Sequence, residues 1–257
     1  MTFAKRFVAL GDSFTEGVGD PDPNLPHGVR GWADRVAEQL CMSDAGWGYA
    51  NLAIRGRKLG RIMAEQIDAA VALEPTLVTI YAGGNDILRT QINIDLLMEK
   101  YDDGVARLAA TGADVVLFTG FDAVASPVFG KMRGRTAIYN ELLREIADKY
   151  GAIIVDYWRF DEYEDRRMWD TDRLHMSTAG HINMAAKVLE KLEAEHAIEL
   201  PRFGELTPVA RLEALKAEAD WVRNFVGPWF SRRIRGVSSG DSLSARYPEL
   251  CRVAERS

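Results

Sequence analysis

Short apolar segments alternate with longer segments of helical periodicity through most of the chain. The short segments are rich in β-branched and aromatic residues, and they predict five strands at Phe7–Leu10, Gly48–Ile54, Thr76–Tyr81, Asp114–Thr119 and Ala152–Val155. The longer segments predict helices at about Trp32–Leu40, Leu59–Leu73, Ile94–Ala109, Thr136–Tyr150 and from Ser177 or Thr178 to about Glu195.

Continuously apolar strands separated by helices are typical of a parallel sheet that is covered on both faces. With right-handed crossovers, this order predicts a three-layer α/β/α sandwich around a five-stranded parallel sheet. Ligands of such sheets bind beyond the carboxyl ends of the strands. Residues that directly follow each predicted strand are therefore the first candidates for chemistry.

The end of the chain departs from this alternation. We predict an α/β domain at residues 1–197 and an extension at residues 198–257. Within the extension, Thr207-Pro208 is typical of a helix start and Gly227-Pro228 of a helix end. Apolar residues recur between them at spacings of three and four, which predicts one long amphipathic helix at about residues 208–226. Such a helix is expected to pack on the main domain or on a partner subunit, so a homodimer is one possible arrangement.

The composition is that of an ordinary globular protein, with 47% hydrophobic and 27% charged residues. The net charge of −6 disfavours a general nucleic-acid-binding role. No apolar run approaches the roughly 20 residues of a membrane span, and the N-terminal apolar run is too short for a signal peptide. Cys41 and Cys251 form no CxxC pattern, so neither a disulfide framework nor a zinc site is predicted. We expect a soluble, cytoplasmic protein.

Three of the predicted strands are followed by glycines and polar residues. Gly11-Asp12-Ser13 follows the first strand, Gly56 the second and Gly84-Asn85-Asp86 the third. A serine can face a cleft there, a glycine turn can direct a backbone N–H into it, and an asparagine amide can donate to an oxyanion. Each segment also has a purely structural interpretation, as a helix N-cap, a plain turn and an Asx turn respectively.

Asp172 and His175 lie in a loop before the last predicted helix of the α/β unit. A histidine here can take a proton from a serine hydroxyl while the aspartate holds the imidazole in the required tautomer. Turn formation is the alternative interpretation of Asp172. His181 follows His175 by six residues, but no HExxH spacing or cysteine ligand accompanies the two histidines, so no metal site is predicted.

These four blocks, in this order and at these strand ends, resemble the GDSL-type, or SGNH, hydrolase superfamily. The resemblance covers roughly residues 5–195 and implies a flavodoxin-like sandwich and a hydrolase without metal or other cofactor. It implies Ser13 as nucleophile, His175 as general base and acid, and Asp172 as the residue that orients His175. The implied oxyanion hole combines the backbone N–H groups of Ser13 and Gly56 with the side chain of Asn85.

One position departs from the family's pattern, because Phe14 stands where the first block often has leucine. Phenylalanine can fill the same apolar packing position. The extension after residue 197 lies outside the segment that the resemblance covers.

The function implied by this resemblance is hydrolysis of small-molecule carboxylic esters through an acyl-enzyme. A short acyl group is expected, since no long apolar stretch near the motifs indicates a lipid tunnel. An acyltransferase or a carbohydrate O-deacetylase would use the same residues, and a non-catalytic ligand-binding module is the alternative from another class. The predicted cleft rim is basic. This charge indicates either that the substrate is anionic or only that the side chains are exposed to solvent. The basic residues are Arg55, Arg57, Lys58 and Arg61.

Overall fold

The structure is a computed structural model that describes residues 3–89, 91–123, 129–205, 213, 216, 219–221, 223–224 and 238–253. In this part of the chain, six strands form a single sheet in the order β5-β4-β3-β1-β2-β6. The strands are β1 Lys5–Gly11, β2 Trp47–Asn51, β3 Leu77–Tyr81, β4 Asp114–Phe118, β5 Ile153–Val155 and β6 Tyr247–Cys251.

The first five strands are parallel, and their order is that of a flavodoxin-like doubly wound sheet. The strand centres are buried on both faces, as their uninterrupted apolar sequences predict. The predicted parallel α/β sheet is therefore confirmed.

Helices cover both faces of the sheet and complete three layers. Their bounds are α1 Ser13–Glu16, α2 Trp32–Ser43, α3 Leu59–Ala72, α4 Gly84–Ile87, α5 Ile94–Ala109, α6 Arg133–Tyr150 and α7 Thr178–Lys191. One apolar core lies between the sheet and α3, α5 and α6, and a second lies between the sheet and α2 and α7. Short 3-10 turns occupy Pro26–Gly28, Phe129–Met132, Tyr157–Arg159, Asp161–Glu164 and Arg166–Met168.

The sheet has one strand more than predicted. β6 comes from the extension and pairs antiparallel with β2 at the edge of the sheet. Its sequence, Tyr-Pro-Glu-Leu-Cys, has no apolar run and contains Pro248, which disfavours a central strand but is tolerated at an edge. The helix predicted at about residues 208–226 falls mostly outside the described residues, and the division into residues 1–197 and 198–257 stays a prediction.

Candidate active site

Ser13 begins the one-turn helix α1 directly after β1. The preceding Asp12 caps this helix, since its Oδ1 accepts a hydrogen bond of 3.1 Å from the Phe14 N–H. Gln66 of α3 fixes the end of β1, because its side chain accepts from the Gly11 N–H at 2.8 Å and donates to the Gly11 carbonyl at 2.9 Å. The capping role therefore belongs to Asp12, and Ser13 lies at a rigidly held strand end.

Gly56 lies in the turn after β2 and has a left-handed backbone, with φ of 74°. The Arg57 N–H closes this turn by donating to the Ile54 carbonyl at 3.3 Å. Among the described residues, neither the Gly56 nor the Ser13 backbone N–H has a hydrogen-bond acceptor. Both residues line the same cavity. Two backbone donors are thus available to a ligand there.

Asn85 lies in the one-turn helix α4 after β3 and also lines the cavity. Its amide nitrogen donates to Asp12 Oδ2 at 2.9 Å and to the Arg57 carbonyl at 3.1 Å. These bonds orient the amide and connect the ends of three strands. The neighbouring Asp86 has a different partner, since its Oδ2 accepts from the Leu59 N–H at 2.9 Å.

His175 and Asp172 contact each other directly. The His175 Nδ1 lies 2.6 Å from Asp172 Oδ2, and Asp172 Oδ1 accepts from the backbone N–H groups of Leu174 and His175. Burial raises the pKa of Asp172, but the hydrogen bonds and positive charge of His175 outweigh this effect, so the pKa lies below its ordinary value. Asp172 is therefore held as a carboxylate against one imidazole nitrogen.

Asp12 is the other carboxyl group close to these residues. Burial raises its pKa to about 7, against the lowering effects of the Phe14 N–H, of nearby His175 and of the Asn85 amide. The repulsion of Asp86 adds to the increase. Asp12 thus changes its charge in the neutral pH range.

The cavity has a volume of about 300 Å³. Ser13, Gly56, Asn85 and His175 all line it, and Asp172 lies behind His175. In the described part of the chain, the Ser13 hydroxyl makes no hydrogen bond. Much of the remaining wall is apolar or aromatic, with Phe14, Tyr81, Ile87, Phe121, Phe129, Met132, Tyr157 and Trp169.

Glu16, the last residue of helix α1, is fully buried, and the sequence did not indicate its role. Its carboxylate accepts from the Arg55 backbone N–H and from the Arg55 guanidinium, with Nη2 at 2.7 Å. His27 Nδ1 lies 2.7 Å from the same carboxylate, so Glu16 has two side-chain partners. Glu16 therefore joins helix α1 to the residue before Gly56.

Most of the predicted basic rim is neutralised by acidic partners. Arg55 pairs with Glu16, while Arg57 and Arg61 both pair with Glu65. Lys58 lines the cavity and has no ion-pair partner among the described residues. The positive charge available to a substrate is thus smaller than the sequence alone indicates.

His181 has a structural environment. It is fully buried, its Nδ1 accepts from the Trp32 N–H at 3.1 Å, and its Nε2 lies 3.1 Å from the Val18 carbonyl. Burial lowers its pKa to about 4, so the ring is neutral.

Among the described residues, no cluster of three or more His, Cys, Asp or Glu side chains suits a metal ion. The helices in this part of the chain are also too short or too polar to span a bilayer.

Three solved structures illustrate the fold likeness. LAE5, an alpha/beta hydrolase enzyme from the metagenome of Lake Arreo in Spain, is 22% identical with a TM-score of 0.62, covering 77% of this chain and 99% of its own. The acetylxylan esterase Axe2 from Geobacillus stearothermophilus is 22% identical with a TM-score of 0.60, covering 76% and 96%. The psychrotrophic esterase EstA from Pseudoalteromonas sp. is 17% identical with a TM-score of 0.58, covering 74% and 97%.

At these identities the likeness establishes the fold. A comparison with curated proteins finds no match. The sequence profile of the GDSL-like Lipase/Acylhydrolase family, however, matches residues 9–181, a segment that holds both the Ser13 turn and the Asp172–His175 loop. The chain therefore belongs to the GDSL-like lipase/acylhydrolase family of esterases and acylhydrolases.

Proposed function

We propose that this enzyme hydrolyses carboxylic esters through an acyl-enzyme on Ser13. His175 acts as general base and then general acid, and Asp172 orients its imidazole. The observation that carries the proposal is the 2.6 Å contact of His175 Nδ1 with Asp172 Oδ2, at the wall of the cavity that Ser13 also lines. This contact leaves His175 Nε2 as the nitrogen that exchanges a proton with Ser13.

In the first half of the reaction, the Ser13 oxygen attacks the ester carbonyl carbon while His175 Nε2 takes the hydroxyl proton. The tetrahedral intermediate then expels the alcohol, which receives this proton from His175. In the second half, a water molecule gives a proton to His175 and attacks the acyl-enzyme. Collapse of the second intermediate releases the acid, and the proton returns to Ser13. The Asp172 carboxylate stabilises the imidazolium in both halves.

The oxyanion of each intermediate binds to the backbone N–H groups of Ser13 and Gly56 and to the Asn85 amide. In support, both backbone groups lack an acceptor among the described residues, so they need not break a protein hydrogen bond to bind the oxyanion. The Asn85 amide is already oriented by Asp12 and by the Arg57 carbonyl. It would share its hydrogens with the oxyanion.

The cavity favours a compact substrate. Its volume of about 300 Å³ lies at the lower end of the range for small-molecule sites. The apolar wall suits the acyl group or an apolar alcohol. We therefore propose esters with a short acyl group as the substrates.

A carbohydrate O-deacetylase is the second candidate. The Phe121 and Trp169 rings line the cavity with centroids 4.8 Å apart, and aromatic faces can pack against sugar rings. Axe2, which shares the fold, is an acetylxylan esterase. An acyltransferase would use the same acyl-enzyme with another acceptor in place of water.

The test measures the release of acid from nitrophenyl esters of increasing acyl length and from acetylated xylo-oligosaccharides. Wild-type protein is compared with Ser13→Ala and with Ser242→Ala, a control at an exposed serine. We expect Ser13→Ala to lose at least about 100-fold in kcat with an unchanged Tm, because the nucleophile acts as a unit with its base. Wild-type turnover in folded Ser13→Ala would contradict the proposal. Higher kcat/KM on the acetylated sugars would favour the deacetylase.

A further inference from the structure

A turn at residues 238–241, beyond the family match, packs directly on the Gly56 turn. The Ser238 hydroxyl donates to the Arg55 carbonyl at 3.3 Å. The Arg57 guanidinium donates to the Gly240 carbonyl at 3.2 Å, so both neighbours of Gly56 are held. A Cβ at Gly240 would lie 2.1 Å from the Arg55 carbonyl oxygen, and a Cβ at Gly56 would lie 1.9 Å from the Ser238 hydroxyl. A side chain at residue 240 would therefore clash with backbone, and a side chain at residue 56 would displace the Ser238 hydroxyl from its contact.

The 238–241 turn is also held by its own hydrogen bonds. The Asp241 carboxylate accepts from the Ser238 N–H at 2.7 Å, and the Ser238 hydroxyl accepts from the Gly240 N–H at 3.2 Å. Arg61 of α3 pairs with Asp241 at 3.0 Å. The Ser238 N–H and Arg61 lower the pKa of Asp241, which keeps it a carboxylate. The Ser238 hydroxyl is thus held by the Gly240 N–H of its own turn and by the Arg55 carbonyl of the Gly56 turn.

The chain after this turn is anchored beside the first motif. Arg246 is buried, forms an ion pair of 2.8 Å with Asp34, and donates to the Glu16 carbonyl at 2.8 Å. Strand β6, which follows at once, pairs with β2. Gly56 lies in the turn after β2. The 238–241 turn and the Gly56 turn are therefore both attached to the paired strands β2 and β6.

We propose that the 238–241 turn positions the Gly56 N–H in the oxyanion hole, with Ser238 as the positioning residue. This inference rests on the proposed function, in which the Gly56 N–H stabilises the oxyanion. Ser238 and Ser239 also line the cavity, so the contact lies at the site itself. Without the turn, the loop from Arg55 to Arg57 loses the Ser238 contact to the Arg55 carbonyl and the Gly240 contact to the Arg57 side chain.

Two variants disturb the contact in opposite ways. Ser238→Ala removes the hydroxyl that binds the Arg55 carbonyl, and Gly240→Ala adds a methyl group against the same carbonyl. Ser242→Ala, at an exposed position directly after the turn, is the matched control. The readouts are kcat and KM on nitrophenyl acetate, Tm, and hydrogen–deuterium exchange of a peptide that contains residues 52–58.

We expect both variants to lower kcat at least about tenfold with little change in KM, and to raise exchange in the 52–58 peptide. Ser242→Ala should match wild type. Wild-type kcat or unchanged exchange in folded Ser238→Ala and Gly240→Ala would overturn the positioning role. Failure of the proposed function gives a different result, since turnover would then be absent from wild type or independent of Ser13. The exchange measurement still decides the positioning role in that case.

Discussion

Protonation of the buried Asp12 carboxyl group makes the stability of the fold depend on pH. Burial raises the pKa of Asp12 to about 7 from an ordinary value of 3.8. Between about pH 4 and pH 7 the folded protein therefore binds a proton that the unfolded chain has already released. Protonation of Asp12 stabilises the fold at low pH, and this contribution is lost as the pH rises through about 7.

Asp12→Asn is expected to remove this pH dependence. Asparagine is also a good N-cap, so helix α1 keeps its cap, and the lost bond to Asn85 gives an offset that is independent of pH. The free energy of unfolding of wild type minus that of the variant should fall between pH 4 and 7, by at most about 1.4 kcal/mol per pH unit, and stay level above pH 7. Urea unfolding at a series of pH values measures it. Parallel curves for the two proteins would show that Asp12 does not titrate in this range.

Asn85 is the side-chain donor of the proposed oxyanion hole. Asn85→Ala should lower kcat by about 10²–10³-fold with little change in KM, because the lost hydrogen bond acts mainly in the transition state. Steady-state kinetics on nitrophenyl acetate measures this effect. A rise in KM at constant kcat would instead assign Asn85 to substrate binding.

At the scale of elements, Asp86 supplies the cap that helix α3 lacks in its own sequence. The residue before α3 is Lys58, whose side chain makes no capping bond, and Asp86 Oδ2 accepts the Leu59 N–H at 2.9 Å. Asp86→Ala should therefore lower the free energy of unfolding by about 0.5–2 kcal/mol, with a smaller effect on kcat than Asn85→Ala.

Chemical unfolding checks this expectation, with Asp95→Ala as the control. Asp95 is an exposed acidic residue in the first turn of α5 and should change stability by less than about 0.5 kcal/mol. A kcat loss larger for Asp86→Ala than for Asn85→Ala would mean that the catalytic role of Asn85 is wrongly assigned.

The elements that the sequence predicted are those with a strong local pattern. The bounds of α5 agree with the prediction at both ends because its apolar positions repeat along one helix face. The helices α1 and α4 are single turns, too short to show a period. Strand β6 owes its position to pairing with β2 rather than to its own sequence, so no local pattern could indicate it.

The same distinction applies to the site. The sequence indicates Ser13, Asn85 and His175 as candidate site residues because each lies in a short motif after a strand or before a helix. The sequence does not indicate Gln66 or Arg246, which act through hydrogen bonds to residues 55 and 230 positions away. These pairs can be identified only in the folded structure, because a local segment does not specify a distant partner.

At the scale of the whole molecule, the described part of the extension contacts the α/β unit at several places, and Arg246 is one of them. Trp221 donates from its indole to the Asp172 carbonyl at 3.0 Å, Ser238 contacts the Gly56 turn, and β6 extends the sheet. The Arg173 guanidinium also lies 4.3 Å from the centre of the Trp221 ring. The extension thus contacts the loop that carries Asp172 and His175 and also the Gly56 turn.

Deletion of residues 198–257 should give an insoluble protein or one with a markedly lower Tm. The deletion exposes the edge of β2 and leaves Asp34 buried without the charge of Arg246. Thermal unfolding measures the stability, and gel filtration with light scattering measures the number of subunits. The control is Ser242→Ala, at an exposed position of the extension. A soluble truncation with an unchanged Tm and an unchanged number of subunits would contradict a packed extension. Fewer subunits at an unchanged Tm would point to the predicted subunit contact.

Covalent labelling by a fluorophosphonate, mapped to one residue by mass spectrometry, tests the central claim most directly. The probe reacts with a serine that a neighbouring base activates, and Ser238 and Ser239 line the same cavity as Ser13. We predict one adduct per chain, on Ser13, with labelling abolished in Ser13→Ala and slowed at least about 100-fold in His175→Ala. An adduct on another serine, or equal labelling of folded Ser13→Ala, would contradict the assignment of Ser13 as the nucleophile.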